Sequence, residues 1–234
     1  RDIALKSASQ PSGLLVVDKP VGISSMDVVR RVRRAACGAK TGHAGTLDPL
    51  ASGVLICCLG KATRCVEQLM GLAKVYEADV DLSAFTPTDD REGQQKTVEV
   101  KDYPTESAVR SVLSEFIGVV DQAPPTFSAV HVGGQRAYKL ARRGKTVEMP
   151  IRQVRIDQIE LRNYKWPIVS LVVRCGRGTY MRSLARDLGK RLATGGHLAC
   201  LRRTAVGTYD VRSAVSLEQI GDLITQDDLL APLS

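Results

Sequence analysis

Apolar positions change period along the chain often enough to mark its elements. Leu14-Leu15-Val16-Val17 is a short apolar run ending at Asp18-Lys19-Pro20, where proline, lacking an N–H, stops a strand ladder. Ser24, three residues before Asp27, opens a helix with a capping box. Val28, Val29, Val32 and Ala36 follow at helical spacing, with Arg30, Arg31, Arg33 and Arg34 facing out, and Gly38 marks the end. Gly42 to Gly53 reads as a glycine-rich loop. Val54 to Leu59 is continuously apolar, as a strand buried on both faces would be. Ala62, Cys65, Val66 and Leu69 predict a helix stopped by Gly71. The clearest alternation follows: Tyr76, Ala78, Val80 and Leu82 on one strand face, Glu77, Asp79 and Asp81 on the other. Tyr76 therefore belongs to the buried or cleft-facing side.

Residues 84–97 are polar loop. Thr105 caps a helix running to Phe116, and Ala123-Pro124-Pro125 breaks the chain. Arg136 to Arg143 reads as a short basic helix. Strands are expected near 153–162 and 168–175. Thr179 begins a helix with the stripe Met181, Leu184, Ala185, Leu188 and Leu192, stopped by Gly195-Gly196. A strand over 197–209 and an amphipathic helix over 216–223 complete the chain. Strands and helices interleave irregularly, which predicts an α+β fold with a mixed, mostly antiparallel central sheet flanked by helices. No linker divides it. The organisation expected is a loose segment over 1–12, a catalytic domain over 13–212 and a short helical tail over 213–234.

Composition is that of a soluble globular chain: 234 residues, 44% hydrophobic and 25% charged. The net charge is +8, and its distribution says more than its size. Residues 131–203 hold 17 Lys and Arg against 4 Asp and Glu, while residues 1–130 are nearly balanced and 204–234 are acidic. Such clustering fits a polyanion-binding surface, and equally a solvated basic face. No apolar run reaches the roughly 20 residues a bilayer span needs. Six cysteines form no C-x-x-C, and three histidines have no neighbour at metal spacing. Buried free thiols in a cytoplasmic protein without a metal are the expectation.

The densest chemistry lies in Gly42-His43-Ala44-Gly45-Thr46-Leu47-Asp48-Pro49-Leu50-Ala51-Ser52-Gly53. Its glycines permit close backbone approach and positive φ around a single carboxylate. By itself an Asp-Pro most often starts a turn, its carboxylate serving as a cap. His43 by itself is more often a packing residue.

The ordered set of motifs changes that balance. Gly42 to Leu55 resembles the catalytic loop of the TruB-type tRNA pseudouridine-55 synthases. Asp18-Lys19-Pro20-x-Gly22-x-Ser24-Ser25 resembles their first motif, and Lys74-Val75-Tyr76 the strand bearing an active-site tyrosine. Thr88-x-Asp90-x-Glu92-Gly93 resembles their acidic loop. Residues 124–144 resemble an RNA-holding insertion, for which about 123–152 is expected. Gly178-Thr179-Tyr180-Met181-Arg182 and Leu201-Arg202-Arg203 resemble the last two motifs. Arg177 stands where the family has Lys, which keeps the charge.

The resemblance implies a pseudouridine synthase fold and an isomerase acting on the T-loop uridine of tRNA after base flipping. It implies no cofactor. Asp48 is the implied nucleophile, Tyr76 the ring that stacks on the flipped base, and Arg182 the cation that offsets a buried carboxylate. His43 would fill the space the base leaves, Lys19 would buttress the pocket, and Tyr180 and Leu201 would shape its wall. Asp90 belongs to the implied RNA-binding set. Arg142, Arg143, Arg177, Arg202 and Arg203 would contact phosphates of the T arm. The partner expected is tRNA, met by a monomer without a full C-terminal PUA domain and without a membrane. Two other readings remain open: a non-catalytic tRNA-binding or tRNA-folding module, and a guide-RNA-dependent pseudouridine synthase.

Overall fold

The computed structural model describes residues 10–128, 130–132, 135–137 and 148–232. The chain forms two compact units: residues 1–72 with 203–234, and residues 73–202. The boundary crosses no linker. It falls once between a helix and a strand, and once inside a strand, which explains why composition along the chain gives no sign of it.

In the first unit, β1 (Gly13–Lys19) pairs antiparallel with β3 (Ala51–Leu59), which also takes β2 (Thr41–His43) antiparallel. The short β14 (Val215–Ser216) lies parallel to β1, so the sheet is mixed. The predicted apolar run is buried along nearly its whole length and extends back to Ala51. β2 lies in the stretch expected to be loop: its three residues, Thr41-Gly42-His43, carry no strand signature and are held by pairing with Cys57, Cys58 and Leu59. Helix α1 (Ser25–Ala35) starts at the predicted capping box, with Ser24 and Asp27 bonded reciprocally. Val28, Val29 and Val32 are buried beneath it. The core joins Leu14 and Val16 to Val54, Ile56, Ala62, Leu69 and Val206. The turn over 60–71 splits into a 3-10 segment and the short α2 (Val66–Gly71).

The expected helix over 216–223 is not formed. Ser216 and Gln219 close a single turn on each other, and Gly221 follows. Ile220 and Ile224 are buried, but as separate anchors: the Ile220 carbonyl accepts from Arg31, and the Ile224 amide donates to the Ala35 carbonyl. Spacing of four along a turned, anchored strap imitates a helical stripe.

In the second unit, β4 (Lys74–Asp81), β11 (Ile168–Cys175), β10 (Arg152–Lys165) and β7 (Gly118–Gln122) pair antiparallel in that order. Tyr76, Ala78 and Val80 are buried on β4, as their alternation requires, and Lys74 at its start is buried with them. Short β5 (Ala84–Phe85) pairs with β6 (Lys96–Thr97), and β8 (His131–Val132) with β9 (Gln135–Arg136). Residues 138–143 of the expected basic helix, including Arg142 and Arg143, lie outside the described residues. Helix α3 (Glu106–Ser114) is capped by Thr105, and α4 (Met181–Arg191) begins after Tyr180. β12 (His197–Val206) supplies residues to both units, and its last residues turn back on β13 (Tyr209–Asp210).

Candidate active site

The loop between β2 and β3 carries Asp48, and the first unit grips it from both sides. Ser25, the first residue of α1, donates its hydroxyl to the Leu47 carbonyl at 2.9 Å and accepts from the Leu47 amide at 2.8 Å. The Gly22 amide donates to the Pro49 carbonyl at 2.7 Å. The Asp48 carbonyl accepts from Ala51 at 3.0 Å. Leu47 and Leu50 are buried and Asp48 is half-buried. The neighbours on either side are thus fixed by backbone bonds and packing, which pins the backbone that carries the carboxylate.

Lys19 explains why the turn over 20–23 keeps its shape. Its side chain is fully buried, and Nζ donates to the carbonyls of Pro20 and Ile23 at 2.8 Å each. Gly22 sits in that turn at φ +94°, a conformation that costs glycine little. Burial pushes the Lys19 ammonium down to about 8. Asp48 and Asp27 hold it up, and Arg203 pushes it further down. An ammonium thus acts electrostatically on the candidate nucleophile.

Arg203 is the residue whose place the sequence misassigns. It was expected at a phosphate, yet it is 1% exposed. Nε donates to the Val54 carbonyl at 2.7 Å, and the terminal nitrogens reach the carbonyls of Gly45 at 3.0 Å and Thr46 at 3.5 Å. A guanidinium committed to buried carbonyls is not available to RNA. The only sequence signal for this is the pair Arg202-Arg203 on a strand, whose alternation sends one side chain in. Arg202 is the partly exposed member. His43, half-buried on β2, carries an Nδ1 with no hydrogen-bond partner. Burial, and then the Arg203 charge, hold its imidazolium form down.

In the second unit, α4 acts as a rack for the loop after β5. Arg182 is buried and donates to the carbonyls of Thr88 at 3.1 Å and Phe127 at 3.2 Å, with Asp90 Oδ2 at 3.5 Å. Asp90 is 3% exposed and accepts from Thr88 Oγ1 at 2.6 Å and the Glu92 amide at 3.0 Å. That leaves its carboxylate almost no surface for RNA; it faces Arg182 and its own loop. Arg186, one turn on, is also part of the rack: it bonds Asp89 at 2.7 Å and the Ala123 carbonyl at 2.9 Å. Sequence reasoning gave Arg186 no role, because charge at helical spacing reads as a solvated face.

The other expected residues fall as follows. Tyr76 is 9% exposed on β4 and Leu201 is buried on β12. Tyr180 precedes α4, with its amide donating to Gln122 Oε1 at 2.8 Å and its carbonyl accepting from Gln122 Nε2 at 3.1 Å. Arg177 is exposed, just before Gly178 at φ +85°. Among the described residues no group of three His, Cys, Asp or Glu could hold a metal ion, and no helix is long and apolar enough to cross a membrane.

Residues 31–181 match the family model for TruB family pseudouridylate synthase, N-terminal domain, and residues 182–233 match that for the tRNA pseudouridylate synthase B C-terminal domain. The chain belongs to the TruB family of pseudouridylate synthases. Its relatives in that family include tRNA pseudouridine synthase B of Thermobifida fusca, 46% identical over 216 residues, which are 89% of this chain and 74% of the relative. The protein of the same name in Xanthomonas campestris pv. campestris (strain B100) is 42% identical over 212 residues, 91% and 69% of the two chains. Among solved structures, a chain of a Cbf5–Nop10–Gar1 complex matches with a TM-score of 0.69 and 31% identity, over 88% of this chain and 52% of that one. A chain of an archaeal box H/ACA sRNP Nop10–Cbf5 complex matches at 0.66 and 29%, over 90% and 53%. The chain therefore spans about half the length of these solved chains.

Proposed function

We propose that this chain isomerises the T-loop uridine of tRNA to pseudouridine, with Asp48 as the nucleophile. The observation that supports this most is the hold on Asp48: residues before and after it are clamped to the first motif, beside a buried ammonium. That the relatives at 42–46% identity are tRNA pseudouridine synthases B supports pseudouridine formation in tRNA.

The reaction breaks the bond from C1′ to N1 of uracil and makes one from C1′ to C5. The C5 proton leaves and N1 gains one, so atoms and electrons balance without an outside oxidant or reductant. A carboxylate can trap the detached fragment covalently. The target base must leave the stack first, and Tyr76 is the ring proposed to receive it. Arg182 supplies the positive charge that a carboxylate in a dry site needs. His43, kept neutral, has the shape and charge to fill the space the base vacates. Tyr180 and Leu201 line the site, and Arg177 and Arg202, with Arg142 and Arg143, meet phosphates of the T arm.

Mapping pseudouridine in T-arm RNA treated with the purified chain tests this. The unaltered chain modifies the T-loop uridine without guide RNA or added proteins. Asp48→Asn binds the RNA with similar affinity and makes no pseudouridine. Full turnover by that variant sinks the nucleophile assignment, and a strict need for guide RNA moves the chain to the guide-dependent class.

A further inference from the structure

We propose that Arg203 is a positioning residue for Asp48, fixing the loop that carries the carboxylate by gathering the Gly45, Thr46 and Val54 carbonyls around one buried guanidinium. This rests on the reading of Asp48 as nucleophile. Gly53, at the start of β3, has room only for glycine beside the Arg203 backbone, and Gly45, in the loop, lies against its side chain. A Cβ on Gly53, at φ +103°, would stand 2.1 Å from the Arg203 carbonyl oxygen, so β12 packs directly on the first residues of β3, just past the loop. A Cβ on Gly45, at φ +96°, would meet the Arg203 guanidinium at 3.6 Å. The side chain therefore ties Gly45 and Thr46, before Asp48, to Val54, after it, while its backbone packs on Gly53.

Burying an unpaired guanidinium is costly, and hydrogen bonds to carbonyls offset that only when the geometry is good. Lysine, a point charge without a fork, cannot reach all three carbonyls at once. The same guanidinium acts on the charges around the loop: Lys19 faces Asp48, Asp27 and Arg203, and His43 faces Arg203. Arg203 thus helps keep His43 neutral as well as placing Asp48.

The test compares Arg203→Met and Arg203→Lys with the unaltered chain by single-turnover rate at saturating tRNA, by tRNA affinity across a salt series, and by the His43 imidazole pKa from NMR. A loop displaced by about 1 Å is expected to slow the chemical step about 100-fold in Arg203→Met, with partial recovery in Arg203→Lys. The affinity and its salt slope stay as they are, and the His43 pKa rises in Arg203→Met only. Unchanged single-turnover rates in folded variants overturn the proposal. So does a weaker affinity with a salt slope smaller by about 1, which is the mark of a lost phosphate contact. If Arg203→Met does not fold, Arg203→Lys, which keeps the buried charge, decides alone: an unaltered rate there refutes the proposal, and a slowed rate at constant affinity upholds it. Asp48→Asn separates this inference from the reading beneath it, since an active Asp48→Asn defeats the nucleophile and an inactive one beside fully active Arg203 variants defeats only the positioning role.

Discussion

Lys19 couples shape to charge at the candidate site. Its ammonium holds the turn over 20–23 and acts on Asp48, but burial brings its pKa down to about 8. Below that pH the charge beside Asp48 is present; as pH rises through about 8 it is lost. The single-turnover rate should therefore fall above pH 8, whereas Lys19→Met should be slow throughout and show no such limb. A profile that stays level to pH 9.5 in the unaltered chain would contradict the role. Gly53 gives a second residue-scale expectation. Gly53→Ala adds both a positive-φ strain and a clash with the Arg203 carbonyl, so it should destabilise the first unit by several kcal/mol in urea unfolding. Much at this scale was legible in the sequence. Ser24 as a cap and Pro20 as a strand stop are local effects, and the sequence carries them openly. Arg203 was not legible, because its burial is decided by carbonyls up to 158 residues away.

Among the elements, α4 shows where helical periodicity informs and where it misleads. Of the predicted stripe, Met181, Leu184, Ala185 and Leu188 are buried, while Leu192, at the C-cap, is only half-buried. Arg182 and Arg186 lie beside that stripe, and periodicity alone would send both to solvent. The structure turns them onto the loop over 86–92, whose own bonds to β12 run from Arg91 to Leu198 and from Leu198 to Asp89. Asp89 adopts φ +58°, which aspartate tolerates better than most residues. Burial raises the Asp89 pKa and the Arg186 charge opposes that shift. Replacing Arg186 by Met leaves the carboxylate buried without its partner, and should cost about 3 kcal/mol at pH 7. The sign with pH follows from proton uptake. In the variant the folded carboxyl holds its proton to higher pH than the unfolded one, so its stability falls as pH rises above about 4. The gap between Arg186→Met and the unaltered chain should accordingly be small at pH 4 and grow toward pH 7, as read from urea midpoints. A gap independent of pH would show that Asp89 is not the group left buried and unpaired. The final strap over 216–224 is the converse case. Its apolar spacing imitates a helix, and only the anchoring of Ile224 to Ala35 and of Ile220 to Arg31 shows why none is needed.

At the scale of the molecule, the basic stretch over 131–203 is smaller as an RNA surface than its charge count suggests. Arg182, Arg186 and Arg203 are spent on internal carbonyls and carboxylates. Arg155 pairs with Asp157, Arg162 with Glu160 and Arg191 with Glu115. Arg177 and Arg174 are exposed, and Arg202 partly so. Charge read along the sequence cannot separate these groups, because whether an arginine faces water or a carbonyl depends on strand alternation and on partners far away in the chain. The consequence for binding is quantitative. Each phosphate contact contributes about 0.7 to 0.9 to the slope of log affinity against log salt. The double change Arg142→Ala with Arg143→Ala should flatten that slope by about 1.5, and Arg177→Ala by a little under 1. Arg186→Met, whose guanidinium is engaged inside the protein, should leave the slope as it is even where it lowers stability. Titrations of T-arm RNA at four salt concentrations would tell these apart: an undiminished slope in the double variant removes residues 142 and 143 from the interface, and a flattened one in Arg186→Met would mean that internal pairing gives way when RNA arrives.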